Sequence, residues 1–254
     1  MNPSAHEHLP PPLADSKLFP LGRAAPPRAG NYKWVYLWGA PLRAMHWIAA
    51  IAIVVLIATG FYIGKPYFLG RGEASQGFLM GYVRFAHFIA AGVLVMTGIV
   101  RLYWLLAGNQ FERLPALFPI RSRDFANLVR QVKYYLMIQP EKAPHYLGHN
   151  PIQQLSYTFT YLVGALMVVT GFTMYGQANP GGFFSTLTAP IASLLGGLQV
   201  VRFLHHVATW WFVLFPIMHI YLAVRADIME RGGGLSSIFS GGHFVRADRD
   251  YVDE

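Results

Sequence analysis

Four long apolar runs restrict this chain more than any other feature. They cover residues 45–63, 85–106, 155–175 and 204–224, each near the roughly 20 residues that cross a hydrocarbon core of about 30 Å. In lipid the backbone must satisfy its own hydrogen bonds, which leaves only helices and closed barrels. Unbroken runs without period-2 alternation predict helices. The expected fold is an all-α membrane protein, a bundle of four transmembrane helices at about 44–64, 83–107, 153–175 and 203–225.

Composition agrees. Only 13% of residues are charged and 54% are hydrophobic, whereas a soluble domain carries about 25% charged residues. The net charge of +8 is spread through an apolar chain, so it points to a membrane protein and not to a nucleic-acid partner. With the N-terminus inside, 16 of the 20 Lys and Arg fall on the inner side. The positive-inside rule then makes both termini cytoplasmic. The absence of cysteine excludes disulfides, Cys-ligated iron–sulfur clusters, thiolate zinc sites and covalently attached haem. Chemistry in this chain must use histidine, carboxylates or a non-covalently held cofactor.

Residues 1–31 contain seven of the 17 prolines and no apolar period, which predicts a disordered cytoplasmic tail. It lacks the apolar core of a signal peptide. The membrane domain is expected over 32–254. Between the second and third runs, residues 122–138 place Phe125, Leu128, Val129, Val132, Tyr135 and Leu136 at helical spacing. This fits a helix in the membrane interface or one packed on the bundle ends. The stretch 183–198 is expected to rest on the outer surface or a partner. No internal repeat is found.

Ionisable residues inside a span are functional candidates by default. His205 and His219 lie 14 residues apart, within about 40° of whole turns, so they share a helix face at depths about 21 Å apart. His46 opens the first, outward-running helix and matches the depth of His219. His87 opens the second, inward-running helix and matches His205. Two imidazole pairs at two depths suit two b-type haems with both axial positions filled, a state that favours electron transfer. Gly60 lies 14 residues after His46, and Gly98 lies 11 after His87. Each could admit a flat macrocycle or merely allow close helix packing.

Arg43, Arg84 and Arg202 each precede a histidine of these pairs by three residues. They could pair with haem propionates or simply snorkel at helix ends. His206 points about 100° away from His205, and the 14-residue spacing favours His205 as the ligand. His145 and His149 read as loop residues, and His6, His8 and His243 as solvated. Pro216 is expected to kink the fourth helix. Zinc would need three or four ligands. A histidine proton path in a haem-free channel or transporter explains the paired depths and the arginines less well.

Several stretches resemble the b-type cytochrome subunit of membrane-bound nickel–iron uptake hydrogenases. They include L-R-A-M-H-W (42–47), T-G-F-Y-I-G-K-P (59–66), M-G-Y-V-R-F-A-H-F (80–88), R-L-Y-W (101–104), G-H-N-P (148–151), T-G-F (170–172), L-H-H-V-A-T-W-W (204–211) and S-G-G-H-F (240–244). The paired-histidine pattern is shared with formate dehydrogenase cytochrome subunits. M-G-Y-x-R-x-x-H-F and G-H-N-P favour the hydrogenase branch.

The resemblance implies two haems b, an outer one on His87 and His205 and an inner one on His46 and His219. It also implies electron transfer from iron–sulfur clusters of a periplasmic hydrogenase small subunit, and through it the large subunit, to quinone. The location implied is the bacterial inner membrane. Family members often carry histidine where this chain has Arg202. The alternative is the equivalent subunit of a formate dehydrogenase or another periplasmic oxidoreductase.

Overall fold

The computed structural model describes residues 32–68, 77–118, 122–136, 144–230 and 232–254. The proline-rich segment 1–31 and its expected disorder lie outside the described residues. Four helices are long and apolar enough to cross a membrane: α1 (Ala40–Gly64), α2 (Leu79–Ala107), α5 (Pro151–Gly176) and α7, which spans it over Leu198–Ile228 of its full length Leu198–Glu230. Short α3 (Leu114–Leu117) and amphipathic α4 (Ser122–Tyr135) connect α2 to α5. Helix α6 (Phe183–Leu194) lies between α5 and α7, and α8 (Ser237–Ser240) follows α7. The stretch expected to rest on a surface is thus a helix of its own, packed against α5 and α7.

The long helices pack chiefly as two pairs, α1 with α2 and α5 with α7, and α1 touches α7. Their burial inverts that of a soluble protein. Ile51, Val54, Leu102, Leu106 and Leu162 are exposed, while Thr170 and Thr173 are completely buried. Lipid solvates the aliphatic side chains, so the interior is free to hold small and polar groups. Each threonine hydroxyl donates to a carbonyl four residues earlier, at 2.7 Å for Thr170 and 2.8 Å for Thr173. Helix α7 runs on through Pro216.

A two-stranded antiparallel sheet, unforeseen from the sequence, closes one end of the bundle. Strand β1 (Tyr32–Tyr36) pairs with β2 (Gly242–Arg246), Trp34 opposite Phe244. It joins the beginning and the end of the membrane domain. Gly241, at φ 93°, caps α8 in the left-handed region, where a Cβ would strike the Tyr36 ring. Its carbonyl accepts from the amides of Leu37 and Trp38, both at 2.8 Å. Beneath the sheet lies a small core of Leu37, Phe111, Leu147 and Val245.

Glu112 is the polar hub of this end, with 1% of its surface exposed. Its carboxylate accepts from the Gly39 amide, from Trp104 Nε1 at 2.8 Å and from the Asn109 amide at 3.2 Å. Arg101, which the sequence placed near the end of a span, donates from both terminal nitrogens to the Glu112 carbonyl at 3.1 Å. A charged side chain inside an apolar helix is thereby paired with backbone. Asn109 donates to the Leu37 carbonyl at 2.8 Å. The R-L-Y-W stretch, with Asn109 beyond it, therefore ties α2 to the start of α1.

Two further contacts order the G-H-N-P stretch. Asn150 and Gln153 form a reciprocal capping box at the start of α5. Asp253 accepts from the amides of Leu147 at 2.6 Å and Gly148 at 2.8 Å. Helix α4 buries Asp124, Asn127 and Gln131 and leaves Phe125, Val129, Val132 and Leu136 exposed. Its polar face is turned inward and its apolar stripe outward.

Candidate metal centre

His46 near the start of α1 and His219 late in α7 meet at the end closed by the sheet. Their ring centres are 6.4 Å apart with planes at 51°. An iron held about 2 Å from one nitrogen of each of two imidazoles sets the ring centres about 6 Å apart. The observed spacing fits that arrangement. Phe215, one turn before His219, stacks on its ring at 5.6 Å and 13°, and Tyr157 of α5 stands at 6.5 Å. His46 Nδ1 is buried and has no hydrogen-bond partner among the described residues.

At the opposite end stand His87 of α2 and His205 of α7. Each leans on a Thr-Gly pair of its neighbouring helix. Thr59 Oγ1 lies 2.8 Å from His87 Nδ1, and Thr170 Oγ1 lies 2.8 Å from His205 Nδ1. Both hydroxyls also donate along their own helices, Thr59 to Val55 O at 2.6 Å and Thr170 to Leu166 O at 2.7 Å. A hydroxyl has one hydrogen. With that hydrogen given to a carbonyl, the oxygen can only accept from the imidazole. Nδ1 must then carry the proton, which leaves the Nε2 lone pair as the donor for a metal. The donor set suits axial haem ligation at both positions.

The glycines divide. A Cβ on Gly60 would stand 3.4 Å from His87 Cε1, so Gly60 lets this imidazole lie against α1. Gly98 faces no neighbouring atom within 4 Å. Gly171, which the sequence did not single out as a site residue, meets His205 Cε1 at 3.5 Å in the same way. The arginines divide as well. Arg84 and Arg202 are exposed at the His87 end, Arg202 bonding to Gln199 Oε1 at 3.2 Å. Arg43 is turned to the Phe239 carbonyl of α8, and its Nε is buried without a partner among the described residues.

The other histidines take distinct places. His206 bonds through Nδ1 to the Arg202 carbonyl of its own helix at 2.7 Å. Its ring would clash with a side chain at Gly64. His149, read from sequence as a loop residue, does lie in the loop before α5, its ring half-buried between Trp38 at 4.8 Å and Tyr157 at 4.9 Å. Burial first, then the charges of Arg101 and His219, push its pKa down to about 3. His243 is half-buried, not solvated; burial lowers its pKa against the opposing pull of Asp227.

Four apolar helices with imidazoles at both ends of the bundle suit the multi-pass membrane cytochromes of b type, which hold haem b. The chain belongs to the prokaryotic cytochrome b561 family, whose model matches residues 37–241. It is 39% identical over 214 residues to a probable Ni/Fe-hydrogenase B-type cytochrome subunit of Cupriavidus necator, covering 83% of this chain and 87% of the relative. A relative of the same description in Azotobacter chroococcum is 40% identical over 219 residues, 85% of this chain and 90% of its own. The probable Ni/Fe-hydrogenase 1 B-type cytochrome subunit of Escherichia coli K12 is 30% identical over 210 residues, 81% and 89% of the two chains.

Proposed function

We propose that this chain is the di-haem subunit that anchors a periplasmic nickel–iron hydrogenase and passes its electrons across the bacterial inner membrane to quinone. What supports this reading is the set of imidazoles at the two ends of the bundle. His46 and His219 face one another at 6.4 Å, and His87 and His205 both hold Nδ1 against a threonine. The relatives' names add the hydrogenase association. Haem b, when bound, would supply a one-electron carrier.

The residues then have separate tasks. His46 and His219 hold the inner iron, and His87 and His205 the outer one. Gly60 clears space for the His87 ring, and Gly98, with no atom within 4 Å of an added Cβ, would let a macrocycle approach α2. Arg84 and Arg202 stand one turn beyond the outer ligands, where guanidinium can pair with propionates. Arg43 would have to release Phe239 to serve the inner propionates. By the positive-inside rule, the His46 end, the sheet and both termini are cytoplasmic. The outer ligands then face the hydrogenase small subunit, and quinone is reduced near the inner pair.

The test is a reduced-minus-oxidised visible spectrum of the purified protein with its haem-to-protein ratio. Two haems b per chain are expected. A protein without a haem signal would sink the proposal, and a ratio of one would remove one of the two pairs. Co-purification of nickel–iron hydrogenase subunits tests the partner, and a formate dehydrogenase in their place would overturn that assignment.

A further inference from the structure

We infer that Thr59 and Thr170 are matched positioning residues that fix the tautomer and ring orientation of His87 and His205 and thereby lower the reduction potential of the outer haem. The inference rests on the ligand assignment proposed above. Its basis is a local repeat in the two halves of the bundle. Thr59-Gly60-Phe61 on α1 receives the histidine of α2, and Thr170-Gly171-Phe172 on α5 receives the histidine of α7.

The two sites match closely in their hydrogen bonds and in the glycine beside each ring. The hydroxyl-to-Nδ1 distance is 2.8 Å in both. The hydroxyl donates to the carbonyl four residues back at 2.6 and 2.7 Å, and leans toward the one three back at 3.3 Å in both. The glycine that follows would bring a Cβ to 3.4 or 3.5 Å from the imidazole Cε1.

Back-bonding alone does not account for these contacts. Thr97 and Thr173 donate to carbonyls four residues earlier, each at 2.8 Å, with no imidazole on either hydroxyl among the described residues. A threonine in a membrane helix is therefore satisfied without an imidazole. Thr59 and Thr170 each accept one besides.

The chemistry follows from that second bond. A hydroxyl already donating to a carbonyl is a stronger acceptor, because linked hydrogen bonds polarise one another. It draws on the Nδ1–H and raises the basicity of Nε2. A more basic axial ligand stabilises the oxidised iron and lowers its potential. At the other end His46 Nδ1 has no partner among the described residues, so that imidazole lacks this device.

The experiment compares Thr59→Val, Thr170→Val and the corresponding serine variants of the full-length chain by potentiometric titration and electron paramagnetic resonance. Thr97→Val serves as the control for a valine in a membrane helix. Thr59→Val and Thr170→Val are each expected to shift the outer haem's reduction equilibrium toward the reduced form by about tenfold, or 59 mV for one electron. Its low-spin g-values should also change while the inner signal stays fixed. Serine variants should restore both. Loss of the outer signal in a valine variant, regained at native potential with serine, also supports the inference.

Native potential and g-values in both valine variants would overturn it. His87→Ala and His205→Ala, measured alongside, separate the two levels. If they remove one haem while the valine variants change nothing, the ligands stand and the positioning role falls. If they remove none, the ligand assignment itself falls.

Discussion

The rings of His46 and His219 lie 6.4 Å apart although the residues are separated by most of the membrane domain. Helix α1 begins at the end where α7 is finishing, so two residues at opposite extremes of the sequence share one depth. That geometry makes the pair separable by mutation from its counterpart. His46→Ala and His219→Ala are each expected to abolish the same spectroscopic component and leave the other. His87→Ala and His205→Ala should abolish the remaining one. Optical redox titration of the four variants checks this, and a component shared by the His87 and His219 variants would reject the pairing.

Glu112 carries a stability expectation. Removing its carboxylate orphans the Gly39 and Asn109 amides and Trp104 Nε1 in a buried place. Leaving such donors unsatisfied costs about 1–3 kcal/mol for a group, so Glu112→Ala should cost about 3 kcal/mol or more. Trp104→Phe, which removes one donor and keeps most of the ring, should cost about 1 kcal/mol. Thermal unfolding in detergent would rank the two; equal losses would show that Glu112 is not the hub.

His149 makes stability depend on acid. Its folded-state pKa is about 3 against an ordinary 6.5, so the unfolded chain takes up a proton that the folded chain refuses. Above pH 6.5 the two states are alike at this residue. As pH falls below that value stability is lost, by about 2 kcal/mol at pH 5. His149→Phe keeps a ring between Trp38 and Tyr157 and removes the titration. Denaturation midpoints measured from pH 8 to 5 should fall less steeply in that variant than in the parent.

Helix α4 can be probed cleanly because the chain has no cysteine. Its apolar stripe of Phe125, Val129, Val132 and Leu136 is exposed, which suits insertion into the interfacial region of the bilayer. Arg130 sits about 140° around the helix from Phe125. Single cysteines at Phe125 and Val129 should resist a water-soluble maleimide in membranes and react after detergent extraction. A cysteine at Arg130 should react in both. Equal labelling in membranes would place the stripe in water.

The positions and length of the four spans are legible in the sequence, because an apolar run in lipid has few other solutions than a helix. The depth of each histidine is legible too, since rise per residue and alternating direction set it. Helical periodicity puts His205 and His219 on one face with no tertiary information at all. Periodicity also finds α4, but it cannot say whether the apolar face of a helix beside a bundle turns toward protein or lipid. The burial of Asp124, Asn127 and Gln131 settles that.

Other features arise only from the tertiary structure. The β1–β2 pairing links segments at opposite ends of the membrane domain, and short strands carry too little pattern to announce a distant partner. His149 lies in a loop as the sequence expects, but only the fold brings Trp38 and Tyr157 against its ring. Thr59 and Thr170 look like ordinary small residues of membrane helices, and the repeated T-G-F is too short to stand out as an internal repeat. What marks them is an imidazole arriving from another helix at 2.8 Å. The sequence by itself determined which runs are apolar enough to span a membrane and toward which end of its helix each histidine falls. Only the packing decided which atom of each imidazole is held, because a hydrogen bond between helices depends on their rotation and approach, which no single helix encodes.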